Sequence, residues 1–162
     1  MLPFKIRFGW GIGTLTVSLM FQATGLLLLL YLTDFVKLDA TTAGLLIGLS
    51  KIYDAVTDPI MGRISDRTKS PWGKRRPYVF LGTFMCAASF ILLFNLAAFA
   101  DSPNIVIITL FALVLNATGY TVFNVPYLAM PSEITNDYNA RTNLVSYRVM
   151  AVAAGQLGGS AL

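Results

Sequence analysis

The sequence predicts an all-α polytopic membrane protein. Three observations carry that expectation. Hydrophobic residues make up 56% of the 162 positions and charged residues only 12%, about half the charged share of a soluble domain. The apolar residues fall in unbroken runs of about 20, the length that crosses a bilayer as a helix. The charges gather between the runs, and six of the twelve Lys and Arg residues lie between positions 63 and 77.

Taken in order, the first predicted span is 10–32, which carries no charge. A secretory leader has an apolar core of only about 7–15 residues, so this run reads as a helix that stays in the membrane. Gly9, Gly11, Gly13 and Gly25, with Thr14 and Ser18, suit close packing on a neighbour. A short loop with Asp34, Lys37 and Asp39 leads to a second span, 41–62. The basic loop follows, broken by Pro71 and Pro77, with Gly73 suited to a turn. A third span is expected over 78–99, a fourth over 105–130 after Asp101 and Pro103, and a fifth over 142–162 after a polar segment with Glu133, Asp137 and Arg141. The chain stops inside that apolar stretch. It therefore reads as the N-terminal transmembrane bundle of a longer protein.

Basic residues orient the spans. With the N-terminus inside, the inner segments hold Lys5, Arg7, the six of the basic loop and Arg141, whereas the outer loops hold only Lys37. The positive-inside rule then places the N-terminus in the cytoplasm. The net charge of +4 is accordingly a topology signal, and no nucleic-acid partner is expected. The single cysteine, Cys86, has no intrachain partner for a disulfide, and the chain has no histidine. No nucleophile–base pair, phosphate loop or Cys/His metal cluster is visible, so no enzyme and no cofactor are expected.

The functional signal is Lys51–Pro59. Lys51, Asp54 and Asp58 share a helix face inside an otherwise apolar span. Charges at such depth are functional candidates by default. Measured from the predicted inner ends, Asp54, Thr121 and Arg148 on three different spans all lie roughly 9–14 Å deep. Two carboxylates in hydrocarbon need a partner: a sodium ion, a proton or Lys51. Thr57 adds an oxygen between them, and oxygen donors suit a hard cation. Hydroxyls, amides and a guanidinium suit a polyol or an anionic group. The alternative is a closed network, Lys51 with Asp54 or Arg148 with Asp58, that only joins helices. In the basic loop, Asp66 among cations suggests a salt-bridged latch, and a plain positive anchor is the other reading.

Several motifs together resemble a known family. Tyr53-Asp54-Ala55-Val56-Thr57-Asp58-Pro59-Ile60-Met61-Gly62, then Ser65-Asp66-Arg67-Thr68, then Trp72-Gly73-Lys74-Arg75-Arg76-Pro77, are similar to the signature of the glycoside–pentoside–hexuronide cation symporters of the major facilitator superfamily. So are Pro126-Tyr127-Leu128, Glu133-Ile134-Thr135, Asp137-Tyr138, Arg141-Thr142 and Tyr147-Arg148. The resemblance implies a major facilitator fold of two six-helix halves, of which this chain supplies the first five helices. It implies alternating access around a midplane site. By position, it implies cation ligands at Asp54, Thr57, Asp58 and Thr121, and solute contacts at Tyr120, Asn124 and Arg148. The latch would comprise Gly62, Asp66, Arg67, Gly73, Lys74, Arg75 and Arg76. The first span lacks the acid that holds sugar in the family's melibiose permease, and Asn124 stands where that family has another acid.

The expected function is cation-coupled symport of a sugar or glycoside in a bacterial inner membrane, driven by sodium, lithium or protons. The expected partners are the bilayer, the solute and the C-terminal half of the same transporter. The alternatives are a lipid-like or other organic solute on the same fold, or a membrane fragment that transports nothing.

Overall fold

The computed structural model describes residues 4–135 and 137–160. All its regular elements are helical, with no strand among the described residues. The helices are α1 (Phe4–Leu30), α2 (Ala40–Arg67), α3 (Arg76–Phe94), α4 (Ile105–Ala129), the single turn α5 (Pro131–Ile134) and α6 (Tyr138–Ser160). Among the described residues, three segments are long and apolar enough to cross a membrane: Phe8–Phe35, Arg76–Phe94 and Ile105–Ile134. α2 has the length, 28 residues, but not the composition. It carries Lys51, Asp54, Asp58, Arg63, Asp66 and Arg67. α6 has 23 residues with Arg141 and Arg148 among amides and hydroxyls.

Local chemistry explains where the helices begin and end. Asp39 caps α2, its carboxylate accepting from the backbone N–H of Thr41 at 3.0 Å and of Thr42 at 3.4 Å. α2 continues past the expected end at Gly62 by more than a turn, to Arg67, because residues 63–67 include no helix breaker. Pro77 does not break a helix, as expected from sequence, but occupies the first turn of α3. There its missing N–H has no intrahelical partner to lose. α3 is shorter than the expected third span. It ends at Phe94 and tightens into a 3₁₀ turn, Leu96–Phe99. After Leu30 the chain widens into a π turn, Tyr31–Phe35, which runs into the first residues of the expected loop.

The chain divides into two compact units. One contains residues 1–28 and 129–162, the other residues 29–128. In the second unit, α3 and α4 run antiparallel in close register. A Cβ on Gly82 would lie 2.6 Å from the backbone nitrogen of Phe123, and one on Gly119 would lie 3.0 Å from that of Cys86. One turn further, Asn116 Nδ2 donates to Ser89 Oγ at 3.3 Å. Small residues thus let the two backbones touch, which is how helices associate where lipid competes for apolar contact. In the first unit, Gly155 makes the same kind of approach. A Cβ there would lie 2.9 Å from Ser18 Cβ and 3.3 Å from the Leu15 carbonyl oxygen. With Gly11 near Tyr147 and Gly158 near Leu19, the contacts advance together along α1 and α6, so these two helices are parallel.

The second unit has an apolar core of Leu32, Val36, Leu93, Leu96 and Ala112, with Thr109, Ser89, Ser65 and Thr121 buried beside it, yet it also leaves Leu45, Ile52, Phe84, Ile91, Ile107 and Phe111 exposed. Such an arrangement is stable when the surrounding solvent is hydrocarbon.

Candidate functional site

α2 sets two carboxylates one turn apart, and their partners differ. Asp58 reaches across to α4, where the Thr121 hydroxyl donates to its Oδ1 at 2.7 Å. Asp54 turns along its own helix, where its Oδ2 accepts from Lys51 Nζ at 3.2 Å. Lys51 is 61% exposed and Asp54 only 16%. The ammonium therefore approaches the carboxylate from the outer side of α2. The other oxygen, Asp54 Oδ1, is buried and has no hydrogen-bond partner.

Thr57 lies between the two acids. Its hydroxyl donates to the Tyr53 carbonyl at 3.0 Å, with the Asp54 carbonyl at 3.3 Å. A hydroxyl has one hydrogen and two lone pairs. Thr57 and Thr121 each direct that hydrogen to an acceptor already named, which leaves their lone pairs for a further partner. The local donor set is thus two carboxylates and two hydroxyls, all hard oxygen.

A second bond joins the same helices nearer their N-terminal ends. The Tyr53 and Thr118 hydroxyls are 3.0 Å apart. Thr118 already donates to the Val114 carbonyl at 2.7 Å, so Tyr53 is the donor between the two hydroxyls. Tyr53–Thr118 and Asp58–Thr121 advance together, which makes α2 and α4 parallel. The register shows that Asp58, not Asp54, is level with Thr121. Asp54 is one turn away from that level along α2, and Arg148 is on α6 in the first unit. The Tyr53–Thr118 bond was not foreseen. Its only trace in the sequence is that Tyr53 and Thr57, and Thr118 and Thr121, are spaced to share helix faces.

The residues expected to face a solute are spread over both units. Tyr120 and Asn124 lie one turn apart on α4, each half-buried and flanking buried Thr121. Arg148 is on α6 in the first unit, half-buried, and its Nε is buried without a hydrogen-bond partner. A shallow groove along α6 between Tyr138 and Met150 holds none of these residues and is the open flank of one helix.

Of the expected latch residues, the structure joins two. Arg75 Nη2 lies 2.6 Å from Asp66 Oδ1, with the Arg75 side chain 10% exposed and that of Asp66 62%. Beside them the Tyr78 hydroxyl meets Thr68 Oγ1 at 2.7 Å, and Thr68 donates to the Ile64 carbonyl at 2.8 Å. These two contacts bind the end of α2 to the start of α3. Gly73 adopts φ +96, which a residue with a Cβ rarely tolerates. Gly62 is different. A Cβ there would make an ordinary 3.7 Å contact with Val125 Cγ1. Arg67, Lys74 and Arg76 are exposed.

A match to the MFS/sugar transport protein family extends over residues 9–162. The chain belongs to that family. Its members are membrane transporters rather than enzymes, and the resemblance drawn from the α2 and basic-loop motifs is borne out. Over 156 residues the chain is 36% identical to the putative glycoside/cation symporter YagG of Escherichia coli, covering 96% of this chain and 34% of that protein. It is 32% identical to the E. coli inner membrane symporter YicJ over 158 residues, 97% of this chain and 34% of the relative. It is 30% identical over 143 residues to the sodium-dependent lysophosphatidylcholine symporter 1-B of Danio rerio, 86% of this chain and 27% of the relative. The chain spans about a third of the length of the curated relatives it matches. As a member of this family with apolar spanning helices, the chain is an integral membrane protein.

Proposed function

We propose that this chain forms the N-terminal helices of a cation-coupled symporter for a sugar or glycoside, and that Asp54, Thr57, Asp58 and Thr121 hold the cation. The observation that carries the reading is the unequal pairing of the two acids. Asp58 is bound across helices by Thr121 at 2.7 Å. Asp54 keeps one buried oxygen without a hydrogen-bond partner while Lys51 holds the other. A cation entering beside Asp54 Oδ1 would satisfy that oxygen, neutralise the pair of carboxylates and use the lone pairs of Thr57 and Thr121. Lys51 is then a tethered counter-charge that the cation releases. Tyr120, Asn124 and Arg148 are the proposed solute contacts. In this reading α2 and α6 cross the bilayer as well, the N-terminus is cytoplasmic, and the remainder of the solute pathway comes from the C-terminal half of the same transporter. The Asp66–Arg75 pair acts as a latch that opens and closes with the solute pathway.

The names of the relatives support the coupling more evenly than the solute. The E. coli relative is named for glycosides and a cation, the Danio rerio relative for sodium and lysophosphatidylcholine. The second name favours one alternative, a lipid-like solute on the same fold. The test is uptake into proteoliposomes of a panel of glycosides and lysolipids, with and without a sodium gradient. Sodium-dependent uptake of a glycoside, lost in Asp58→Asn, is the expected result. Uptake indifferent to sodium, to pH and to Asp58→Asn sinks the coupling. Uptake of lysolipid alone replaces the solute, and no uptake of any kind favours a chain that transports nothing.

A further inference from the structure

We propose that the end of the second unit where α2 passes to α3 is a binding site for the phosphate headgroups of anionic phospholipids. Arg63, Arg67, Lys69, Lys74 and Arg76 are all exposed there. None of the five forms an ion pair among the described residues. The one carboxylate of the segment, Asp66, is held by the buried Arg75. Five cations are therefore left facing outward on a stretch of fourteen residues.

The apolar surface leads directly to them. On α2, Leu45, Leu49, Ile52, Val56 and Ile60 are exposed at steps of three and four residues. The same stepping next reaches Arg63 and then Arg67. On α3, Phe84 and Phe80 are exposed one turn apart, and the next turn back is Arg76. Each exposed apolar stripe thus ends in a guanidinium at the same end of the unit. That is the depth at which acyl chains give way to phosphates. Asp66–Arg75 and Thr68–Tyr78 fix the two helix ends together, so the guanidinium groups are held in place relative to the acyl surface. Trp72 lies in the same loop and is 69% exposed, and an indole beside cations suits the headgroup layer. Guanidinium groups bind phosphate through paired hydrogen bonds. Continuity with the stripes selects a phospholipid over a nucleic acid or an acidic protein, because those present no acyl chain.

The test is native mass spectrometry of the protein purified with defined mixtures of phosphatidylcholine and cardiolipin, or phosphatidylcholine and phosphatidylglycerol. The wild type is expected to retain the anionic lipid selectively. The variant R63Q/R67Q/R76Q is expected to lose that preference by on the order of a hundredfold. The loop variant K69Q/K74Q, which leaves both helices untouched, is expected to lose on the order of thirtyfold. Lys37→Asn, remote in the chain and outside the basic loop, is expected to change nothing. Inorganic phosphate at equal phosphate concentration is expected to leave the lipid bound. The proposal is overturned if the wild type shows no preference, if K69Q/K74Q retains anionic lipid as the wild type does, if Lys37→Asn loses it equally, or if inorganic phosphate displaces it.

Discussion

Two contacts made by α4 differ in kind. Against α3 it packs backbone to backbone through Gly82 and Gly119. Against α2 it is joined by hydroxyls and a carboxylate, Tyr53–Thr118 and Asp58–Thr121. The first contact has no slack, because a single added carbon meets main chain. The second is made of groups that exchange partners, since each hydrogen bond has water, a cation or a proton as an alternative. A helix held in both ways is fixed to one neighbour and negotiable with the other. Under the proposed function, this contrast predicts that the α3–α4 seam moves as one body and that the cation acts at the α2–α4 contact.

The largest expected effect tests the seam. Gly82→Leu puts a Cβ 2.6 Å from Phe123 N and 2.7 Å from its Cα, and is expected to destabilise by about 3 kcal/mol or more, read as unfolding in detergent. Gly119→Ala meets backbone at 3.0 Å and is expected to lose about 1–2 kcal/mol. If both variants unfold as the wild type does, the seam is not rigid and the comparison fails. Thr121→Val removes the donor to Asp58 and is expected to lose about 1.5–3 kcal/mol, as for a hydrogen bond to a charged group. Thr118→Val breaks a neutral pair and is expected to lose only about 0.6 kcal/mol. Equal losses for the two threonines would remove the distinction between ion site and helix glue. Asp58→Asn retains an acceptor for Thr121. It is expected to leave stability within about 1 kcal/mol while abolishing sodium-dependent uptake. The smallest effect is at Gly62, where Gly62→Ala makes an ordinary 3.7 Å contact and is expected to stay within about 0.5 kcal/mol.

The sequence made these two contacts unequally legible. Asp54 and Asp58 stand out because charges in an apolar run are costly and need a partner, and their spacing with Thr57 on one helix is a local property. The pairing of Asp58 with Thr121 needs the register of α2 against α4, which no periodicity contains. The seam has no signature in the sequence. Gly82 and Gly119 look like any glycine in an apolar helix until the opposing backbone is known, whereas the glycines of the first span attracted notice by their number. Helix ends failed for a related reason. Span prediction follows hydrophobicity, while α2 continues through Arg63, Asp66 and Arg67 because a helix needs only hydrogen bonds and no proline. Lys51 lies 3.2 Å from Asp54 on its own helix, a pairing that the three-residue spacing on one face permits.

The phenol of Tyr31 repairs the break that follows α3. It donates to the Phe94 carbonyl at 2.9 Å and accepts from the Ala97 N–H at 3.0 Å, with its ring packed between Phe35 and Phe94. α3 has 19 residues, a length of about 28 Å, slightly less than a bilayer's hydrocarbon core of about 30 Å. Helix ends at that depth ordinarily draw water to their bare carbonyls. Here the Tyr31 phenol takes the Phe94 carbonyl, while Asn95 serves the Ile91 carbonyl with its side-chain amide. The turn that follows α3 thus takes a hydrogen-bond partner for both the Phe94 carbonyl and the Ala97 N–H from the π turn after α1, far away in sequence.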